Sequence, residues 1–300
     1  MRTLSCALLL FFFTANSSRA EETAPVEIAP ELRGCWQNID HPEAYIWFTE
    51  RHCVQYEGAY PIRERGSASG GTLTLGNYKQ RTLEFSIAGG VLSLKGRKGE
   101  FKLKKLERVP EALENLFKPM KLGAPGKLSD ERIDAITKEI AKRHESDQAV
   151  REGKIDRDAM RKADAENEAY MVGLLQEIGW IDDARFGGWA NYQAWLMMMH
   201  YCHNWPLMLA VLPEIKKEVL AGKFENTLYA GLFDRVRNVM GEPSRYGMVV
   251  EVDGVPTMGP FEDFEKADAF RKEIKMEPVA EESRKYNQQH NNIEVRIIRK

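Results

Sequence analysis

From Leu32 to about Leu106 the chain alternates apolar and polar residues in short runs broken by glycine, the two-residue period of strands with one buried face. The runs are Ala44–Thr49, Cys53–Tyr56, Thr72–Leu75, Thr82–Ile87, Val91–Leu94 and Phe101–Leu103. Ala88-Gly89-Gly90 predicts a hairpin, because adjacent glycines admit the positive φ of tight primed turns. Gly66-Ser67-Ala68-Ser69-Gly70-Gly71 is read as a loop between strands; it lacks the Lys-Ser/Thr ending of a phosphate-binding loop. The expected product is an antiparallel meander, closed or half-closed into a small barrel. Too few strands are visible for a roomy eight-stranded one.

Pro110–Lys127, with its prolines and glycines, is predicted to link this region to a helical one. Ser129 caps a helix whose first turn carries Asp130 and Glu131, and Ile133, Ile136, Ile140 and His144 follow at helical spacing. A second helix is expected over Asp156–Ile178, stopped by Gly179, and others near Trp189–His203, Leu207–Leu220 and Thr227–Met240. Pro213 predicts a kink or early break in the fourth of these five. Beyond them, Gly247–Val252 and Val255–Met258 flank Asp253-Gly254 as a hairpin, helices follow over Glu262–Lys275 and from Pro278 toward Tyr286, and Ile293–Ile298 alternates like an edge strand. The fold class is therefore α+β in two domains: residues 30–108 as the β-domain, 109–128 as a linker, and 129–300 as the helical domain with its C-terminal hairpin.

Met1–Ala20 has Arg2, an apolar core at Ala7–Phe13 and a Ser18-Arg19-Ala20 ending, the pattern of a secretory signal peptide, too short in its apolar run for a membrane span. The expectation is a soluble periplasmic or secreted protein that begins near Glu21, with no transmembrane segment in the mature chain. Across 300 residues, 43 Lys plus Arg against 45 Asp plus Glu leave a charge of −2; without Arg2 and Arg19 the balance is 41 against 45, or −4. That balance offers no footprint for nucleic acid. One local exception is Lys95, Arg97, Lys98, Lys102, Lys104 and Lys105, a basic hairpin suited either to a polyanionic partner or to guarding a sheet edge. Export permits disulfides, and Cys35 and Cys53, flanking two consecutive strands, are the expected pair, which would contribute about 3 kcal/mol.

Leu32-Arg33-Gly34-Cys35-Trp36 resembles the G-x-W start of lipocalin-like barrels, which implies an up-and-down barrel with a mouth for a small apolar ligand. A second resemblance covers Arg132 to about Pro278. Asp147-Gln148 with Arg151, Asp164-x-x-Asn167, Gly179-Trp180, the Trp195-Leu196 helix ending at His200, Leu232-x-Asp234-Arg235-Val236, Gly241-x-Pro243 and Tyr246-Gly247 occur in the order of the uncharacterised bacterial domain of unknown function 6624. That family implies a mostly helical domain with polar residues at fixed places and brings no reaction with it. Met199-His200-Tyr201-Cys202 and Tyr246-Gly247-Met248-Val249 depart from its polar pattern.

His200 and His203, three apart on a helix, are candidate ligands for a divalent metal, with Cys202 or Asp234 as a further donor. No other cofactor is indicated. Asp234 can face away from the Leu232 stripe toward His200 or Asn167, and a His–Asp pair orients an imidazole as a general base. The alternative is a buried structural network. No G-x-S-x-G elbow, P-loop, dinucleotide fingerprint or paired-cysteine zinc motif is present. Two function classes follow. The preferred one is an exported, non-catalytic protein that binds another protein or an envelope component; the other is a hydrolase-like or metal-dependent enzyme built on His200, Asp234, Asn167 and Asp164.

Overall fold

The computed structural model describes residues 27–57, 60–76, 80–97, 99–152, 157–290 and 293–299; the predicted leader and Lys98 lie outside them. Eight antiparallel strands, β1 (Gly34–Asn38), β2 (Ala44–Phe48), β3 (His52–Glu57), β4 (Tyr60–Ser69), β5 (Thr72–Leu75), β6 (Arg81–Ala88), β7 (Val91–Gly96) and β8 (Gly99–Lys105), close into a barrel in sequence order. β8 returns to β1 with Trp36 opposite Lys105. The meander is thus fully closed and has the eight strands that the visible periodicity undercounts. β4 is the long strand that periodicity missed: its middle, Arg63-Glu64-Arg65-Gly66, reads as polar, and Gly66–Ser69, expected as loop, pairs with Thr72–Leu75. Only Gly70 and Gly71, both at positive φ, make the turn.

The barrel interior is filled. Trp36, Phe48, Cys53, Leu73, Leu75, Leu92, Leu94 and Leu103 form one buried cluster, and Ile28 and Leu32 of the preceding segment are packed into it. The Trp36 indole donates to the Leu32 carbonyl at 2.7 Å, and Lys105 Nζ stands 5.2 Å over its ring. These buried side chains occupy the barrel interior.

Register overturns the expected disulfide. Cys35 is opposite Trp47 and Cys53 is opposite Phe48, so the two thiols lie at alternate positions and face opposite sides of the wall. Cys53 enters the barrel core, whereas Cys35 packs outward with Val54, Leu113 and Trp205. Both are free and buried, as is Cys202.

α1 (Glu111–Asn115) lies in the segment predicted as a linker, which is packed rather than extended. Its Leu113, with Leu116 and Phe117, joins Trp47 of the barrel to Trp205; Phe117 lies 5.9 Å from Trp47 and 5.3 Å from Trp205. Arg63 extends this seam by donating to the Met240 carbonyl at 3.0 Å and pairing with Glu242.

The helical region comprises α2 (Asp130–Glu152), α3 (Arg157–Ile178), α4 (Asp183–Met198), α5 (Trp205–Leu220) and α6 (Asn226–Val239) around a core that includes Ile140, Leu175, Trp195, Met208, Val211 and Leu232. α4 starts earlier than the Trp189 expected, because the Asp182 carboxylate caps it from the Arg185 amide, and it kinks at Gly187. α5 runs through Pro213 without ending there. β9 (Val250–Val252), β10 (Val255–Met258) and β11 (Arg296–Ile297) make a small sheet flanked by α7 (Phe264–Glu273) and α8 (Val279–Gln289), with β11 added parallel to β10. Among the described residues no helix is long and apolar enough to cross a membrane.

Candidate functional site

The face of α2 that carries His144, Asp147, Gln148 and Arg151 at three- and four-residue spacing lies against α4. Asp147 is fully buried, and its carboxylate is the hub of the cluster. Oδ1 meets Arg151 Nη1 at 2.9 Å, while Oδ2 accepts from Gln148 Nε2 at 2.7 Å and faces His200 Nε2 at 3.4 Å. Arg151 then reaches across to Asp164 of α3 through Nη2. A single guanidinium therefore bridges a buried carboxylate and a half-buried one.

A second pair stands beside the first. Glu168, one helical turn beyond Asp164, accepts from His203 Nε2 at 3.0 Å and from Asn204 Nδ2 at 2.7 Å. Burial alone would raise its pKa, but the two hydrogen bonds outweigh that and hold its carboxyl below the usual range. The hydroxyl of Tyr201 lies among these groups. Burial first, and then the charges of Asp147, Asp164 and Glu168, push its phenol far above the ordinary tyrosine range. The side chains of His200, His203, Asp164 and Glu168 keep between 13% and 20% of their surface exposed, while Asp147 and Arg151 behind them keep 0% and 5%. The arrangement is a buried charged floor under a half-open polar rim.

Toward the start of α4 the same seam continues. Gln193 Nε2 lies 3.4 Å from His144 Nδ1, and the His144 ring stands 6.3 Å from the indole of Trp189 at a steep angle. Burial lowers the pKa of His144, partly offset by Asp147. On the α3 side, Asn167 Oδ1 accepts from Arg143 Nη1 at 3.0 Å. Tyr201 Oη, Asn167 Nδ2, Gln193 Oε1 and His144 Nε2 are among the buried polar atoms along this stretch that have no hydrogen-bond partner among the described residues.

Of the residues predicted from sequence, the structure brings His200 and Asp164 into this cluster through Asp147 and Arg151, and sets Asn167 beside it on Arg143. Asp234 is elsewhere. It is buried, and its carboxylate accepts from the backbone amides of Arg245 at 2.8 Å, Tyr246 at 3.1 Å and Met248 at 3.1 Å. The expected Asp234–His200 pair is therefore corrected: Asp147 takes the imidazole, and Asp234 serves a loop. The divalent-metal site at His200 and His203 does not assemble either, because the two imidazoles turn to different carboxylates. Among the described residues no three His, Cys, Asp or Glu side chains converge on one point. Cys202 adds no nucleophile, since its buried thiol donates to the Met199 carbonyl at 3.2 Å and burial pushes it up to about 11.

Asp147 and Arg151 entered the sequence reading only through the family resemblance, although their four-residue spacing places them on one helix face; Glu168 and Gln193 carried no signal beyond their helices. The basic hairpin is divided by register: Lys95 is opposite Glu100 and 3.9 Å from Glu84, Lys102 and Lys104 lie on the outer wall, and Lys105 turns to Trp36. No protein-family model matches the chain, and neither a curated protein nor a solved structure matches it.

Proposed function

We propose that this is an exported, non-catalytic binding protein whose ligand is a polar molecule held along the seam between α2, α3 and α4. One observation carries the reading: Tyr201, Asn167, Gln193 and His144 each bring an unpaired hydrogen-bonding atom to the same seam as two carboxylate–imidazole pairs. An unpaired buried donor or acceptor costs about 1–3 kcal/mol, so several together are retained where a ligand completes them. Both polarities are represented, with amide and carboxylate oxygens as acceptors and imidazole, amide and guanidinium nitrogens as donors. Binding, rather than turnover, is favoured because the buried thiol is held protonated and Asp234 is committed to a loop.

Export rests on the Met1–Ala20 pattern. A lipocalin-like kinship for the barrel and a kinship with domain of unknown function 6624 for Arg132–Pro278 belong to the same proposal and assign no activity. The test is calorimetry of the mature chain against hydrogen-bonding small molecules, repeated with Gln193→Leu. A ligand whose heat disappears in the variant supports the seam. Binding that the variant leaves unchanged, or ligand conversion seen by mass spectrometry and abolished by His200→Ala, overturns it. Expression with the leader checks export, with a mature start at Glu21 as the expected result.

A further inference from the structure

Among the large apolar side chains of the described residues, Trp189 is the most open, with 65% of its surface exposed. It sits just after the Gly187 kink, where α4 resumes, and Tyr192 one turn on lies nearly parallel to it, with centroids 5.5 Å apart and planes 19° apart. Tyr192 in turn packs on Trp195, which is 5% exposed and 6.2 Å from Phe224 of the core. The exposed indole is thus the outermost ring of a ladder rooted in the core, and such a ring is held rigidly at little entropic cost. Beside it stand His144, at 6.3 Å, and Gln193, which is 4% exposed and whose Oε1 is unpaired.

We infer that this end of the seam binds a neutral saccharide, with the ring of one sugar lying on the open face of Trp189. The inference rests on the binding reading given above and names its ligand class. A pyranose has a C–H face that seats on a flat aromatic ring and a perimeter of hydroxyls that donate and accept at once. The seam offers both parts: the indole as platform, and Gln193 Oε1 with His144 Nε2 as an acceptor and a donor, once the Gln193 amide donates to His144 Nδ1. Both atoms are closed to solvent as the seam stands, so a sugar reaches them by parting the residues that cover the Gln193–His144 pair, which stays intact.

Other classes fit less well. Trp189 and Tyr192 stack on each other and present one flat wall, whereas a quaternary ammonium is held by several walls around it. A phosphate-bearing ligand would meet three carboxylates, Asp147, Asp164 and Glu168, beside an Arg151 guanidinium that is already paired with two of them. An acidic sugar is disfavoured for the same reason.

The experiment uses the full mature chain on an array of neutral and acidic oligosaccharides, with array hits, choline and adenosine monophosphate then measured by calorimetry. Trp189→Ala and Trp189→Phe are compared with the unmodified chain; the exposed position makes both compatible with folding. A neutral oligosaccharide is expected to bind, to lose about tenfold or more in affinity in Trp189→Ala, and to keep most of it in Trp189→Phe. Silence across the array, binding of choline or the nucleotide alone, or a sugar bound equally by Trp189→Ala overturns the inference. A polar ligand lost in Gln193→Leu but unaffected by Trp189→Ala removes the saccharide class and leaves the binding reading standing; no ligand of any kind removes both.

Discussion

Asp234 and Arg271 grip the backbone of Tyr246 from opposite sides: the carboxylate accepts from its amide at 3.1 Å, and Arg271 Nη1 donates to its carbonyl at 2.6 Å. Arg271 is itself fully buried and also donates to the Glu277 carbonyl and pairs with Glu282, so it ties α7 and α8 to the loop that Asp234 holds on α6. Neither charge touches the other. Asp234 is met by backbone amides and Arg271 by backbone carbonyls and Glu282, which is how a buried charge becomes tolerable.

Asp234→Ala is expected to destabilise the protein by about 3–5 kcal/mol, because it strips three loop amides of their acceptor and leaves buried Arg271 without its counterpart field. Asp234→Asn keeps one acceptor oxygen and should lose about half as much. Urea unfolding of the three proteins measures the difference. Equal stability of all three would mean the loop is held by other contacts.

Arg151 pairs with both Asp147 and Asp164. Replacing it with Met should cost about 3–5 kcal/mol, since a fully buried carboxylate is left facing a second one. Adding Asp147→Asn to Arg151→Met should recover a large part of that loss, because the neutral amide no longer needs a cation. A double-mutant cycle by chemical denaturation checks the sign; a further loss in the double variant would contradict the bridge.

His52 titrates at the seam between barrel and helices. Burial lowers it to about 4, with Arg63 adding to the shift and Glu242 opposing it; Arg63 Nη2 stands 3.2 Å from its Nδ1. The folded protein therefore binds fewer protons there than the unfolded chain between about pH 4 and 6.5. Stability from this group is present above the unfolded value and is lost as pH falls through that window. With solvent screening at a half-buried site, the loss should be about 1–2 kcal/mol between pH 7 and pH 4. Thermal melts at both pH values should show a smaller drop for His52→Gln than for the unmodified chain.

Thiol chemistry should report the free state of all three described cysteines. Burial pushes Cys35 up to about 11 and Cys53 higher still, so neither is a thiolate at neutral pH. Ellman titration of the chain from Glu21 onward is expected to find almost no reactive thiol when folded and the equivalent of Cys35, Cys53 and Cys202 after denaturation without reductant. Mass mapping under the same conditions should find no Cys35–Cys53 peptide pair.

Local pattern was enough to read most of this architecture. Two-residue alternation placed β2, β3 and β5 to β8, paired glycines placed the β6–β7 turn, and 3.6-residue spacing with Ser129 and Gly179 bounded α2 and α3. Those features depend on neighbours a few residues away, and a chain displays them without folding. β4 escaped because its inward Glu64 pairs with Gln55 and Arg81 inside the wall, a compensation made by residues from β3 and β6.

What tertiary structure alone decided was which polar groups meet. Cys35 and Cys53 looked like partners by separation along the chain, but strand register put them on opposite faces of the barrel wall. Asp234 looked like a partner for His200, yet helix rotation gave it to the loop at Arg245–Met248 and gave His200 to Asp147. Sequence by itself determined the elements and the residue types able to do chemistry in them, because propensity and periodicity are local. The assignment of each carboxylate to its imidazole, amide or guanidinium waited for packing, because the rotation of a helix about its axis and the register of a strand decide which side chains face each other.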